Sequence, residues 1–404
     1  MLFRMDRKHL VAPMMGRRRI CAAFDLMLDA HRRKLRGVMD YARDAGWDVE
    51  AIGGYLAPDI RSATDFSAYD GILLDMRPKL FTGQWKDIGR PIVFIDSDES
   101  GRNIGTVSAE VYCDSLAVGA LAAEALLDLD AASYAYVPGF IRERWSVDRG
   151  RGFLDTLREK GVEAEVFPME PTDSRSTALL DAECARLARW LRALPHPTAV
   201  FAANDAVASL VYAACRKAPL DIPGDVYVLG VDNDETFCEF SRPALSSILV
   251  DFESCGYQAA ELLDRLMRGE RGALGSERTF APLSVVHRAS TRIRIPQSDS
   301  RLALALDIIE RDACHGLTVS GLSRAVGLSR RTLELLFVPL GKTPAHCLSE
   351  TRLQRVRDLL LSTSLSITRI AADCGFCSDV YLAGQFKRQF GTTMTEFRRS
   401  KGRR

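Results

Sequence analysis

Two stretches near the carboxyl end hold the residue spacing with the most specific chemical meaning. SGLSRAVGLSRRTLELLF, Ser320 to Phe337, and TRIAADCGFCSDVYLAGQF, Thr368 to Phe386, follow one plan. A short helix ends at Gly327 or Gly375, where a left-handed residue turns the chain sharply without a Cβ penalty. One apolar residue, Leu328 or Phe376, plugs the angle between helices, and Ser329 or Ser378 caps a second helix. That helix keeps Leu333, Leu336 and Phe337, or Leu382 and Phe386, on its core side, which leaves the other side for a DNA major groove. A long helix, SETRLQRVRDLLLST, joins the units and can space them about one duplex turn, roughly 34 Å, apart. Other chemistries find little support. Cys374 and Cys377 are the one close cysteine pair, and no second Cys/His pair lies at finger-like spacing, so no metal is expected. No G-x-S-x-G, H-E-x-x-H or P-loop pattern occurs, so neither an enzyme nor a bound cofactor is expected.

The charge balance points the same way. The net charge is +1, but Arg301 to Arg404 has 17 Lys+Arg and 9 Asp+Glu, a net of +8, leaving 37 and 44, a net of −7, for the rest. A basic end on an acidic body suits a polyanionic partner at that end only. With 47% hydrophobic and 26% charged residues, the composition excludes disorder and fibrous repeats. The length of 404 residues allows two or three compact units. Residues 1–17 read as a basic leader without the apolar core of an export signal, and no run approaches about 18 apolar residues, so a cytoplasmic protein without membrane contact is expected. The remaining cysteines, such as Cys21, Cys184 and Cys215, read as small buried hydrophobes.

The elements that position these residues fall into two patterns. From residue 18 to 295, short apolar runs (RRICAAF, DVEAI, GILLDM, PIVFID, YAYVP, TAVFAAND, VYVLGVDND) alternate with amphipathic segments such as HRRKLRGVMDYARDAG and FESCGYQAAELLDRLMRG. This predicts mostly parallel sheets covered by helices. About half of these runs precede Tyr112 and half follow Tyr134, which suggests two similar lobes with a cleft, and ligands in such folds bind beyond the carboxyl ends of the strands. The polar segment PQSDS, 296–300, reads as a linker to an all-helical domain at 301–404.

Through IAADCGF, QFKRQFG and TEFRR, the segment from Arg301 to about Lys401 resembles the AraC/XylS family of bacterial regulators. The resemblance implies a double-stranded DNA operator, with Arg330, Arg331, Glu334 and Leu335 of the first unit and Asp379, Val380, Ala383 and Gly384 of the second facing base edges. Lys342, Lys387 and Arg388 would contact phosphates, which position without specifying. The family usually has basic residues where Leu335 and Gly384 stand. The interval from Phe337 to Gly341 is also one residue short and contains Pro339, so the first reading helix is expected to end early.

The first 295 residues resemble the sugar-sensing domains of LacI/GalR-type repressors, most clearly in FAANDAVASLVYAACRKAPLDIPGDVYVLGVDNDE and SRPALSSILVDFESCGYQAAELLDRL. Together the two halves resemble the xylose-operon activators, which implies a periplasmic-binding-protein-like α/β sensor of two lobes followed by an all-α double helix-turn-helix domain. It further implies a small sugar effector bound between the lobes, a homodimer and contact with RNA polymerase. RWSVDRGRGF at Arg144 to Phe153 adds to the match. The implied sugar ligands are Asp25, His31 and Arg32 from the first lobe and Trp145, Arg149, Asp205, Asp232 and Asn233 from the second. Carboxylates and guanidinium groups bond sugar hydroxyls, and an aromatic ring covers the apolar sugar face. Alternatives stay open for several. Asp205 also suits the N-cap of DAVASLVY, Trp145 suits the core, Arg32 with Arg33 and Lys34 suits a solvated face, and Asn233 or Asp234 competes with Asp232. His31 stands where these activators usually have Asp, which leaves the identity of the sugar open. A sugar-binding protein or sugar-active enzyme without regulatory role is the remaining alternative.

Overall fold

The computed structural model describes residues 17–52, 66–75, 89–96, 108–129, 131–140, 143–170, 177–292, 300–363 and 365–401. Residues 1–16 of the leader and 296–299 of the linker lie outside them. In chain order the α/β part runs β1 (Arg19–Phe24), α1 (Asp29–Ala45), β2 (Asp48–Ile52), β3 (Gly71–Asp75), β4 (Ile92–Ile95), β5 (Ser108–Cys113), α2 (Ser115–Leu127), β6 (Ser133–Val137) and α3 (Arg144–Glu159). It continues with β7 (Ala164–Val166), α4 (Thr177–Ala193), β8 (Thr198–Ala202), α5 (Asp205–Lys217), β9 (Val226–Val231), α6 (Glu235–Phe240), β10 (Ser246–Val250), α7 (Phe252–Met267), β11 (Glu277–Phe280) and β12 (Pro282–Val286). All seven strands expected from sequence form. Five others, β5, β7, β10, β11 and β12, escaped the sequence reading because segments such as ERTF and SSILV lack a long apolar run.

Two compact units result, Met1–Asp114 with Phe252–Phe280, and Ser115–Asp251 with Ala281–Arg404. The first holds a wholly parallel sheet in the order β11-β5-β4-β3-β1-β2. The second repeats it as β12-β10-β9-β8-β6-β7, with β12 antiparallel. Strands β3, β8 and β9 are buried along their whole length, as continuous apolar runs in a doubly covered sheet should be. The lobes are interleaved in sequence, since β11, far down the chain, completes the first sheet.

In each unit one helix pair packs at glycine. A Cβ on Gly37 of α1 would lie 1.9 Å from the Glu253 carbonyl of α7, and one on Gly256 1.8 Å from that of Lys34. In the second unit Gly119 of α2 and Gly152 of α3 approach the carbonyls of Arg149 and Leu116 to 2.0 and 2.1 Å. Only glycine allows backbones so close, and these contacts fix the helices that carry Lys34 and Arg149.

The helical part comprises α8 (Ser300–Asp312), α9 (Val319–Val326), α10 (Arg330–Leu336), a 3-10 turn at Val338–Leu340, α11 (Pro344–Ser362), α12 (Ile367–Asp373), α13 (Asp379–Phe390) and α14 (Met394–Lys401). It has two small cores. Leu302, Ile309, Leu322, Leu333, Phe337 and Leu348 belong to one, and Leu353, Val356, Ile370, Leu382, Phe386 and Met394 to the other. Helix α11 feeds both, through Leu348 and Val356, and so fixes one relative to the other. No helix among the described residues is long and apolar enough to cross a membrane.

Candidate functional site

In the first unit the strand order reverses beside β1, and polar groups gather at the carboxyl ends there. Asp25 follows β1, and its carboxylate accepts from the Met27 N–H at 3.2 Å while its own N–H donates to His31 Nδ1 at 3.1 Å. His31 Nδ1 is therefore an acceptor, and Nε2 carries the proton. Burial lowers the His31 pKa, opposed by Asp75, so the ring is neutral at physiological pH. Arg32 is exposed and donates to the carbonyls of Leu26 and Met27, each at 3.0 Å, and to Asp29 at 3.3 Å. It fastens the loop ahead of its own helix.

The strongest cluster of this unit joins residues far apart in sequence and has no motif to announce it. Lys34 is buried and its Nζ donates to Asp75 at 2.9 Å and Asp96 at 2.5 Å. Burial alone would lower the Lys34 pKa, but the two carboxylates outweigh it and hold the ammonium well above its ordinary value. The run Arg32-Arg33-Lys34 is thus no solvated face: Arg33 and Lys34 are buried and only Arg32 is exposed. The available signal was helical register, because Lys34 lies three and four residues before buried Gly37 and Val38.

In the second unit α3 brings Trp145 and Arg149 onto one face, four residues apart, with the guanidinium carbon 4.8 Å from the ring centroid. Arg149 is buried; it donates to the Ala203 carbonyl at 2.6 Å and to Asp232 Oδ1 at 3.4 Å. Trp145 is half-buried and its Nε1 donates to Glu143 at 2.5 Å, so it is not a core residue. Asp232 and Asn233 follow β9 with φ of 102° and 51°, a left-handed backbone that non-glycine residues rarely adopt. Asn233 donates its N–H to Ser247 Oγ at 3.0 Å.

Asp205 sits beneath this group. It accepts from Ser247 Oγ at 2.6 Å, the Asp234 N–H at 2.9 Å and Cys238 Sγ at 3.5 Å, and only 1% of it is exposed. Burial, seconded by the Asp232 carboxylate, pushes its carboxyl up to about 8. The cap of α5 is the preceding residue: Asn204 accepts from the Val207 N–H at 2.9 Å. Trp145, Arg149, Asp232 and Asn233 thus come together over Asp205, while Asp25, His31 and Arg32 cluster in the other unit.

The two helix-turn-helix units follow the expected plan. Gly327 and Gly375 have φ of 69° and 72°. Ser329 accepts from the Thr332 N–H at 3.1 Å, and Ser378 from the Tyr381 N–H at 3.0 Å. Arg330, Arg331, Glu334 and Leu335 are exposed on α10, as are Asp379, Val380, Ala383, Gly384, Lys387 and Arg388 on α13. Arg330 is engaged by Glu334 at 3.1 Å and Lys342 by Glu350 at 2.7 Å. Helix α10 has 7 residues against 12 in α13, and the turn containing Pro339 follows it directly. Cys374 is buried in the second core and Cys377 is exposed, and no group of three metal-ligating side chains occurs among the described residues.

The pattern of a periplasmic binding protein-like domain matches residues 123–291, and that of a helix-turn-helix domain matches residues 322–400. Over 399 residues the chain is 30% identical to the xylose operon regulatory protein of Escherichia coli K12, covering 95% of this chain and 97% of that one. The chain belongs to the xylose operon regulator family. The solved structure of a xylose-binding transcription activator matches this regulator with a TM-score of 0.59 and 28% identity, over 96% of this chain and 99% of that one. A LacI-type regulator from Alkaliphilus metalliredigens, solved with D-xylulofuranose, shares the sensor fold at a TM-score of 0.54 and 19% identity, over 68% of this chain and 99% of that one. The regulator therefore joins a periplasmic binding protein-like domain to a helix-turn-helix domain that binds DNA.

Proposed function

We propose that this regulator answers to xylose or a related pentose and activates sugar-catabolic genes. It acts in the cytoplasm as a homodimer that binds a double-stranded DNA operator and contacts RNA polymerase. The observation that carries the sugar reading is Arg149, held between the Trp145 ring and Asp232 at the carboxyl ends of the strands. A fixed guanidinium and a carboxylate offer charge-assisted bonds to hydroxyls, and an indole beside them covers a sugar's apolar face. Asp232 and Asn233 are sugar ligands in this reading, and the first unit offers Asp25 and the Nε2–H of His31 as ligands of its own. Asp205 supports the loop from beneath, and Arg32 fastens the loop ahead of its own helix. The names of its relatives support xylose as the first candidate.

On the DNA side, Arg331 and Glu334 of α10 and Asp379, Val380, Ala383 and Gly384 of α13 read bases, with Arg330 and Leu335 beside them. Lys342, Lys387 and Arg388 hold phosphates. The longer α13 supplies more of the specificity than α10.

Titrating the purified protein against a panel of pentoses and hexoses, followed by calorimetry, tests this reading. One pentose is expected to bind saturably and be returned unchanged, and Asp232→Ala is expected to abolish the binding. If no sugar on the panel binds, the pocket assignment falls while the DNA-binding part stands.

A further inference from the structure

We propose that Cys314 and Cys374 form a reversible disulfide that ties the two helix-turn-helix units together and weakens operator binding under oxidising conditions. The two cysteines lie far apart in sequence, and each stands just beyond a helix end, Cys314 after α8 and Cys374 after α12.

The fold brings them to one seam. Ala313 belongs to the first helical core, whereas its neighbour Cys314 packs against the second, where Cys374 is wholly buried. The turns that carry them touch: a Cβ on Gly375 would lie 3.1 Å from the Cys314 carbonyl and 3.4 Å from that of Ala313. The two side chains share a hydrogen bond. Arg352 of α11 grips the same turn, donating to the Ala313 and Leu317 carbonyls, each at 2.7 Å. The hydrogen bond from Cys374, with Arg355 and Arg352 acting against burial, brings the Cys314 thiol down to about 7. Much of it is therefore thiolate, the nucleophilic form, at neutral pH. Cys314 is only half-buried, while eight of the ten cysteines are buried, and burial pushes two of those, Cys21 and Cys215, up to about 12. A reachable thiolate beside a resolving thiol is what oxidation selects.

The oxidant is a peroxide. The Cys314 thiolate sulfur attacks one peroxide oxygen, the O–O bond breaks, and the departing hydroxide takes a proton from solvent to become water. Cys314 is then a sulfenic acid. Cys374 Sγ attacks that sulfur, the S–O bond breaks, and the leaving hydroxide takes the Cys374 proton as a second water. Two thiols are oxidised and one peroxide is reduced, giving one disulfide and two waters. A disulfide holds its sulfurs at about 2.0 Å, closer than any hydrogen bond between thiols, so the two turns are drawn together. The turn at Gly375 already rests against the Cys314 carbonyl, so the movement passes on to α13, which begins just beyond it. The reading face of that helix is thereby re-aimed on the duplex. In a reducing compartment such a bond lasts only while oxidant persists, as a signal does.

The test treats the full-length protein with hydrogen peroxide and maps linked peptides by mass spectrometry without reductant. Affinity is measured by fluorescence anisotropy on a duplex that the reduced protein selects from a random-sequence pool. A Cys314–Cys374 bond is expected, with affinity lowered by about 5- to 150-fold, the range of coupled sites, and restored by dithiothreitol. Cys377→Ser is expected to behave as wild type. Cys374 lies in the core and its loss can unfold the unit, so Cys314→Ser carries the test beside Cys374→Ala. Both are expected to keep the affinity of the reduced protein in peroxide. A bond between Cys374 and Cys377, or ten free thiols after treatment, overturns the pairing. A Cys314–Cys374 bond that leaves affinity unchanged overturns the switch, and so does an equal loss of affinity in Cys314→Ser.

Discussion

Lys34 and Arg149 occupy the same place in two copies of one design. Each stands five residues after the first residue of its helix, and Gly37 or Gly152 follows three residues later at the close helix crossing. Each donates to the aspartate after the fourth strand of its unit, Asp96 or Asp232, and both aspartates have positive φ. The copies differ at the end of the third strand: β3 ends in Asp75, and β8 ends in Ala202. Two carboxylates bind Lys34 into the structure. Arg149 instead lies against an indole, the arrangement suited to a ligand.

That difference predicts opposite phenotypes. Lys34→Met leaves the buried Asp75 carboxylate and the half-buried Asp96 carboxylate without their cation and is expected to cost about 3–5 kcal/mol of stability, read as a lower urea midpoint by tryptophan fluorescence. Arg149→Lys keeps a charge but loses the planar fork, and the expected result is weakened sugar binding with a smaller loss of stability.

Glycine substitutions separate packing from recognition. Gly37→Ala and Gly152→Ala put a methyl group within about 2 Å of a backbone oxygen, and each should lower the melting temperature through overpacking of about 1–3 kcal/mol or more. Gly384 has nothing within 4 Å of its would-be Cβ. Gly384→Ala should therefore stabilise α13 by about 0.5–1 kcal/mol, and any loss it causes in operator affinity reports contact with DNA.

Asp205 sets a pH dependence. Its folded-state pKa, about 8, lies above the ordinary carboxyl value, so between the two the folded protein holds more protons than the unfolded one. Stability is therefore greatest below the unfolded value and falls as pH rises towards 8, by up to about 1.4 kcal/mol per pH unit. Denaturation of wild type across this range should show that slope, and Asp205→Asn should flatten it.

Operator binding distinguishes readers from positioners. Arg331→Ala should lower affinity for the preferred site by about 5- to 150-fold and relax one base position, as loss of a bidentate guanine contact does. Lys387→Ala should weaken all sequences alike and reduce the salt slope by about 1. Binding measured on a panel of single-base variants at several salt concentrations checks both.

Features that local physics controls were legible in the amino-acid order alone. Gly327 and Gly375 turn the chain, Ser329 and Ser378 cap the next helix, and Pro339 follows the short α10, each through neighbours a few residues away. The seven apolar strands were legible for the same reason. The site was legible only in part. Trp145 and Arg149 share a helix face and were read together, but Asp205 became a buried support only because Ser247 and Asp234, far along the chain, supply its donors. Lys34 looked like one member of a basic run until the fold placed Asp75 and Asp96 around it. Such roles depend on desolvation and on partners tens of residues away, and neither exists until the sheets are assembled.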